Sequence, residues 1–331
     1  MAGTVSTPNG RVREALSAAQ HMTRDDDSAY VAGSPAGVRR LLPEGRRMRQ
    51  QVAEQLRSMG MDTDALEREL GAARARGKDR LIKDKQAAVS QSGARAESLR
   101  HLLDGTVAAF DGLVATTGDT PTQYKTLDSP VQIWATDGIN VESTTIQPYN
   151  SQAKVRMEAS YYTSFFDAYL AGDEQLLHFQ YLWGNPRQDA SAVVNINAIV
   201  ALNGFCSAHS DGGITGGGAA RLDLEPTLDL IQTWTQPISS VPPQPGQSYR
   251  VARVSADSSG LFSDDEDTSA VVFRGTSVGY DQAIVPPGQY LIIDVALRLY
   301  SETVDGKVDA DFATGLFNVL SPFVQLAIAF V

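Results

Sequence analysis

The 331-residue sequence has few of the residues that cross-linking, thiolate chemistry or acid–base catalysis requires: one cysteine, four histidines and three tryptophans. The single cysteine, Cys206, excludes an intramolecular disulfide and a zinc site built on cysteine pairs. This cysteine usage is typical of a reducing compartment, so we expect a cytoplasmic protein, with release inside a particle left open. Residues 1–5 lack the start of a secretory signal, and no run of 18 apolar residues predicts a transmembrane helix.

Motifs for catalysis are also missing. The sequence contains no Gly-x-Ser-x-Gly and no His-Glu-x-x-His pattern, and the glycine-rich loop at 212–218 lacks the Lys-Ser or Lys-Thr of a phosphate-binding loop. Cys206 lies near His209 and Asp211, but a strand would place its side chain on an apolar face, which favours a buried hydrophobic role. His178 lies among apolar strand residues and is interpreted as a satisfied core residue. We therefore predict no enzyme activity and no cofactor.

Charge is unevenly distributed along the chain. Residues 1–110 hold 18 basic and 14 acidic residues, whereas residues 111–331 hold 10 basic and 25 acidic residues. The acidic C-terminal part argues against nucleic acid as a partner, because phosphate contacts need lysine and arginine. The expected partner is a protein or a second copy of this chain. A membrane is not favoured, since few basic residues lie near the aromatic residues.

The N-terminal third predicts helices. Segment 36–117 is rich in residues that favour helix, and an apolar stripe runs along its end at Leu99, Leu102, Leu103, Val107, Phe110 and Val114. We expect two or three antiparallel helices in a hairpin or small bundle, with Asp62 as an N-cap and Gly77 as a break. Residues 1–35 are predicted to be a mobile segment, and residues 118–128 a linker.

From residue 129 to residue 331, apolar residues recur at every second position, as in Leu291, Ile293, Val295, Leu297 and Leu299. About ten short strands are expected, with separate strands near 220–225 and 228–234. Turn residues between the strands, without a long amphipathic helix after residue 175, predict an antiparallel sandwich or jelly roll. The whole chain is thus expected to be α+β, with a helical N-terminal region followed by an all-β domain.

Two acidic groups are candidates for calcium, because carboxylate oxygens are the ligands that this ion prefers. The first group, in a serine-rich loop, contains Asp264, Asp265 and Asp267. The second contains Asp309 and Asp311, which share one face of a predicted strand. Neither group has the spacing of an EF-hand, and charged residues on strands also prevent edge-to-edge pairing. A solvated acidic surface is therefore the alternative interpretation.

One aromatic cluster is the candidate interaction surface: Tyr161, Tyr162, Phe165, Phe166 and Tyr169. Its spacing fits a short helix inserted between strands, and it also fits a strand. Core packing is the commonest role of such residues, and a protein interface is the next, because tyrosine is favoured in binding hot spots.

Strong strand patterning without a catalytic set favours a structural or adaptor subunit of a larger assembly, such as a phage-like particle, that binds partners through its sandwich and helices. Two alternatives stay open. One is a pore-forming or membrane-acting toxin, in which the aromatic cluster would contact the membrane. The other is a calcium- or carbohydrate-binding sandwich protein, for which tryptophan and acidic loop residues are suited.

Overall fold

A computed structural model of the chain describes residues 13, 16, 17, 54–55, 57–60, 62–116, 122–161, 171–212, 218–235, 237–241, 250–258 and 265–331. Two helices are delimited there, α1 (Thr63–Ser90) and α2 (Ser92–Thr116). The strands are β1 (Thr122–Leu127), β2 (Gln132–Ala135), β3 (Ile139–Thr145), β4 (Gln152–Tyr161), β5 (Ala171–Gly184), β6 (Ala192–Ser210), β7 (Ala219–Gln232), β8 (Ser239–Val241), β9 (Ala252–Asp257), β10 (Glu266–Val285), β11 (Tyr290–Val304), β12 (Gly306–Phe312), β13 (Asn318–Leu320) and β14 (Val324–Phe330).

The strands form two antiparallel sheets. Sheet 1 has eight strands, six of them in the order β1-β14-β6-β12-β4-β13. The other two are β10, which pairs with β6, and β3, which pairs with β4. Sheet 2 has six strands in the order β2-β5-β11-β7-β8, with β9 also paired to β7. The predicted antiparallel β-structure of the C-terminal part is confirmed.

One hydrophobic core lies between the sheets. Alternate residues of β6, such as Val194 and Ile196, face the core from sheet 1, and alternate residues of β11, such as Ile293 and Val295, face it from sheet 2. The two-residue period of a strand places these side chains on one face. Cys206 belongs to the same core and is 1% exposed. Burial raises the pKa of its thiol, so its predicted hydrophobic role is confirmed.

Strand β7 is continuous where the sequence predicts two strands. Pro226 lies inside it, at a position where a break is favoured because proline has no N–H to donate to a sheet. The edge of β7 away from β11 pairs with β9 along Ala219–Leu224 and with β8 along Leu230–Gln232. Pro226 falls between these two stretches, so the strand tolerates it.

The two helices that the structure delimits, α1 and α2, do not form the predicted hairpin with each other, and residues 36–53 of the predicted helical segment lie outside the described residues. Only Gln91 separates α1 from α2, and its backbone stays in the right-handed helical region. Its N–H donates to the carbonyl of Ala87 and its carbonyl accepts from the N–H of Arg95, each at 3.3 Å, which is the pairing of an α-helix. Asn203, fully buried on β6, donates through Nδ2 to the carbonyl of Ser92 at 3.3 Å. The helices therefore follow one another along sheet 1, and no chain reversal occurs between them.

Both apolar helix segments pack on the outer face of sheet 1, not on each other. Leu99 and Leu103 of α2 pack against Ile199 and Phe323, while Ala88 of α1 packs against Phe205 and Phe317. Most of the stability of a helix in a protein comes from packing its apolar face against other elements. Sheet 1 supplies the missing burial, and the helices are part of the same packed unit as the sheets.

Three local expectations have clear outcomes. Asp62 caps α1 by accepting from the N–H of Ala65 at 2.9 Å, as predicted. Gly77 does not break the helix, which continues through it. Residues 122–127 of the predicted linker form β1, which pairs with β14 from Thr122 to Leu127. Among the described helices none is long and apolar enough to cross a membrane.

Candidate ligand-binding face

The outer face of sheet 2 carries several polar side chains that are buried. Polar residues at alternate positions of a strand would ordinarily be expected to be exposed to solvent. Cross-strand pairing aligns Gln180, Asp294 and Asp229 in one row. The next row holds Trp134 beside His178. Arg298 lies two positions after Ala296, the partner of His178. Because alternate residues of a strand share a face, Arg298 lies in the following row of the same face. We call Trp134, His178, Gln180, Asp229, Asp294 and Arg298 the polar patch.

His178 is held by two neighbours, Asp294 and Trp134. Its Nδ1 lies 2.9 Å from Oδ2 and 3.1 Å from Oδ1 of Asp294, so Nδ1 donates to the carboxylate. The ring of Trp134 stacks on the imidazole with a centroid distance of 3.9 Å and an interplanar angle of 9°. His178 is buried, as the sequence predicted, but it lies on the outer face and its Nε2 has no hydrogen-bond partner.

The neighbouring row adds an amide pair and a second carboxyl group. Gln132 donates through Nε2 to Oε1 of Gln180, which leaves Nε2 of Gln180 without a partner. Burial, and after it the negative charge of Asp294, raise the pKa of Asp229 to about 7. The carboxyl group of Asp229 is therefore partly protonated near neutral pH, and it is able to donate a hydrogen bond as well as accept one.

Arg298 lies at the edge of the patch, where two carboxylates and a ring hold its guanidinium group. Its Nη2 donates to Oε2 of Glu174 at 2.6 Å, and its Nη1 lies 3.6 Å from Oε2 of Glu225. The guanidinium also lies 5.9 Å from the ring centre of Tyr300. These contacts hold the planar group in place while its Nε remains unpaired.

The polar patch concentrates unpaired polar atoms. Seven buried side-chain nitrogen or oxygen atoms of the described residues lack a hydrogen-bond partner, and five belong to the patch: Trp134 Nε1, His178 Nε2, Gln180 Nε2, Asp229 Oδ1 and Arg298 Nε. Leaving such an atom unpaired in the interior costs about 1–3 kcal/mol. Five in three successive rows of one sheet face therefore make the polar patch the candidate place for a ligand.

Solvent reaches the patch along one side, where 35% of the Arg298 side chain and 40% of the Glu174 side chain are exposed. The unpaired set contains both donors and acceptors, and the one guanidinium is already balanced by Glu174 and Glu225. A phosphate-bearing ligand finds no surplus positive charge there, and an apolar ligand leaves the polar atoms unpaired.

The structure separates the predicted calcium residues. Asp265 and Asp267 lie at the start of β10, where they approach His209 and Asp211 at the end of β6. The sequence grouped His209 with Cys206 instead. Hydrogen bonds to Asp211 and Asp267 raise the pKa of His209 to about 9. Asp264 lies outside the described residues.

The second predicted calcium group forms ion pairs with basic side chains. Asp309 lies 3.4 Å from Nζ of Lys307. Asp311 pairs with Lys85 of α1 and accepts from the backbone N–H groups of Ala313 and Thr314 at 2.9 and 3.0 Å. Burial opposes ionisation of Asp311, but these hydrogen bonds outweigh it and lower its pKa. Asp311 therefore tethers α1 to sheet 1.

The predicted aromatic interface falls almost wholly outside the described residues. Tyr162, Phe165, Phe166 and Tyr169 belong to the segment 162–170 that the structure does not describe, and only the backbone of Tyr161 is described, as the last residue of β4.

Sequence reasoning missed the polar patch because its residues come from β2, β5, β7 and β11. The available signal was a run of polar residues inside otherwise apolar strands, with His178 and Gln180 in β5 and Asp294 in β11. Such residues at alternate positions mark an outer face, but pairing across more than 100 positions is needed to place them together.

No protein-family model matches the chain, and no curated protein matches it. Among solved structures, TmCBM61 in complex with β-1,4-galactotriose is 9% identical, with a TM-score of 0.18, covering 54% of this chain and 86% of its own. TmCBM27, a carbohydrate-binding module that recognises mannan, is 9% identical with a TM-score of 0.23, covering 62% and 98%. A structure of the Gx strain of infectious bursal disease virus is 8% identical with a TM-score of 0.14, covering 60% and 42%. Likenesses at these scores carry no argument about this chain.

Proposed function

We propose that this protein binds a neutral oligosaccharide through the polar patch and has no catalytic role. The observation that carries the proposal is the set of five buried, unpaired polar atoms beside the ring of Trp134. Sugar hydroxyls both donate and accept hydrogen bonds, so one class of ligand satisfies indole and amide donors together with an imidazole acceptor.

Charge supports a neutral ligand over a charged one. Arg298 is balanced by Glu174, and His178 lies against Asp294. Among the described residues, the group with suitable geometry for a metal ion lies elsewhere, at His209, Asp211 and Asp265. A ligand with many hydroxyl groups and no net charge fits the patch best.

The stacked pair of Trp134 and His178 supplies the apolar contact that a sugar ring needs. An indole ring has an electron-rich face that packs against C–H groups, and its amphipathic character makes tryptophan frequent at binding hot spots. One face of the Trp134 ring contacts the imidazole, and the side chain is half-buried. We assign the face away from His178 to the ligand.

The test is a screen of the purified protein against an array of neutral and acidic oligosaccharides, followed by calorimetry with the best ligand. Trp134→Ala and Gln180→Leu are expected to weaken binding at least about tenfold, or 1.4 kcal/mol. Tyr149→Ala is the control, because it removes an exposed aromatic residue that contacts Phe323 of sheet 1. An array without any bound neutral glycan, or binding that both patch variants retain, would refute the proposal.

A second candidate function, a subunit of a larger protein assembly, is favoured by strand β10. This strand is 20 residues long and pairs only with β6 among the described strands. Its outer face exposes Val271 and Phe273. A long edge strand with exposed apolar residues is a template for pairing with another chain.

Light scattering at increasing protein concentration tests this second function. Self-association through β10 predicts a species larger than 35.6 kDa, and Phe273→Lys is expected to shift it to the monomer because a charge on an edge strand blocks pairing. A strictly monomeric wild-type protein at high concentration would exclude self-association through this strand.

A further inference from the structure

Two short sequence patterns meet at one end of sheet 1. His209 lies near the end of β6 with Asp211 just beyond it, and Asp267 lies near the start of β10 with Asp265 just before it. The antiparallel register places Asp267 opposite His209, and residues two apart on a strand share a face. The four side chains therefore gather at one end of the outer face of sheet 1, whereas the polar patch lies on sheet 2.

The candidate ligand atoms lie close enough together to reach one ion. Nε2 of His209 lies 2.9 Å from Oδ1 of Asp211. One ligand atom from each of His209, Asp211 and Asp265 lies within 4.8 Å of the others. Atoms bound to one zinc ion at about 2.0–2.2 Å are no more than about 4.4 Å apart. A small side-chain adjustment is therefore enough to place all three around one ion.

We propose that His209, Asp211 and Asp265 bind a divalent transition-metal ion of the zinc class. An imidazole nitrogen with two carboxylates suits zinc and its neighbours, whereas calcium takes six to eight oxygen ligands. The proposal therefore differs from the calcium site that the acidic loop alone predicts. Three protein ligands leave a coordination position for water or an external ligand.

Neighbouring groups orient the ligands. Asp267 accepts from Nδ1 of His209 at 2.8 Å, which directs Nε2 towards Asp211. Metal-binding histidines usually donate their second nitrogen to a carboxylate in this way. Asp265 is oriented by the N–H of Gly212, which donates to its Oδ1 at 2.7 Å. Asp267 is thus a positioning residue, and His209, Asp211 and Asp265 are the ligands.

The site is accessible to solvent, and the neighbouring Lys307 forms an ion pair with another carboxylate. The side chains of His209 and Asp211 are 27% and 31% exposed, whereas Asp267 is 8% exposed. Lys307 of β12 lies opposite His209 in the sheet, and its Nζ lies 3.0 Å from Oε1 of Glu158. Its charge is balanced by that carboxylate, and an arriving cation meets a predominantly acidic surface.

Calorimetric titration of chelator-treated, full-length protein with zinc chloride tests the proposal. We expect one ion bound per chain, with His209→Gln and Asp211→Asn each losing at least about tenfold in affinity. Asp267→Asn is expected to lose about 10–100-fold while the stoichiometry stays at one, as for other residues that orient a ligand. His101→Gln, at an exposed histidine of α2, is the matched control and should bind zinc as the wild type does.

X-ray absorption of the zinc-loaded wild-type protein gives a second readout that needs no variant. One imidazole and several oxygen neighbours are expected. Absence of zinc binding, retention of full affinity in a folded His209→Gln variant, or a zinc environment with no imidazole would overturn the proposal. Calcium chloride that binds as tightly as zinc chloride would overturn the assigned metal class. None of these outcomes depends on whether the polar patch binds a glycan.

Discussion

The Nδ1 atom of His178 lies 2.9 Å from Oδ2 of Asp294, and both side chains are buried on the outer face of sheet 2. Among the described residues, Asp294 is the hydrogen-bond partner of this buried imidazole, so we expect Asp294→Leu to lower the free energy of unfolding by about 3 kcal/mol. Replacing both residues in His178→Leu/Asp294→Leu should restore part of that loss, because a paired buried polar group exchanged for apolar groups is often neutral. Urea unfolding measures both; a single variant as stable as the wild type would contradict this account.

Stability should depend on pH through Asp229, whose pKa burial raises to about 7. The folded protein holds this proton more tightly than the unfolded chain does. The stabilising effect is therefore present below about pH 4, the ordinary pKa of an aspartic acid, and is lost as the pH rises towards 7. Asp229→Asn should make the protein more stable than the wild type at pH 8, by at least about 1.4 kcal/mol, and comparably stable at pH 4.

Unfolding in urea at pH 4 and pH 8 checks the effect of Asp229. Asp189→Asn is the control, since this exposed carboxylate pairs with Arg187 on the surface. An Asp229→Asn variant with the same advantage over the wild type at both pH values would show that the buried proton is not the cause.

Two glycines in the helices should respond to alanine in opposite directions. Gly105 has nothing within 4 Å of the position where a Cβ would lie, whereas a Cβ on Gly77 would collide with Oδ2 of Asp267. Gly105→Ala is expected to stabilise the protein by about 1 kcal/mol through helix propensity. Gly77→Ala should destabilise it despite the same propensity gain. Thermal unfolding measures the difference, and equal shifts for both variants would contradict the packing of α1 on β10.

The stability of the protein should depend more on Asp311 than on its partner Lys85. Asp311 is buried and accepts two backbone hydrogen bonds, so Asp311→Ala is expected to cost about 2–3 kcal/mol at neutral pH. Lys85 is 41% exposed, so Lys85→Met should cost less than about 1 kcal/mol. Because folding lowers the pKa of Asp311, its contribution is present above about pH 4 and is lost as the pH falls through the lowered value. Acid titration of urea unfolding distinguishes the two variants, and equal losses at all pH values would be inconsistent with this view.

The sheets were predictable because apolar residues alternate strongly in β6 and β11, and this period depends only on local geometry. Two features of the fold were not. Pro226 favours a break in the strand, but β8 and β9 pair with β7 on either side of it. The missing N–H of Pro226 therefore costs no hydrogen bond, and β7 continues. Gln91 gave no sign that α1 and α2 continue in one direction, since the choice between a hairpin and a straight path depends on which surface buries the apolar stripes.

The candidate sites were predictable only as fragments. His209 and Asp211 were recognised together, and so were Asp265 and Asp267, but the contact between the pairs requires the register of β6 and β10. For the polar patch, β5 shows that His178 is a polar residue in an apolar strand. Its partner Asp294 lies 116 positions away, and no local pattern links them.

The most direct test of the proposed function is the indole N–H resonance of Trp134 during titration with the neutral oligosaccharide that binds best on the array. The protein has three tryptophans, so three indole signals are expected, and Trp134→Phe assigns one of them. A hydrogen bond from the unpaired Nε1 of Trp134 to a sugar hydroxyl should shift this signal downfield, while those of Trp183 and Trp234 stay in place. A bound glycan that leaves the Trp134 signal unchanged would contradict the account.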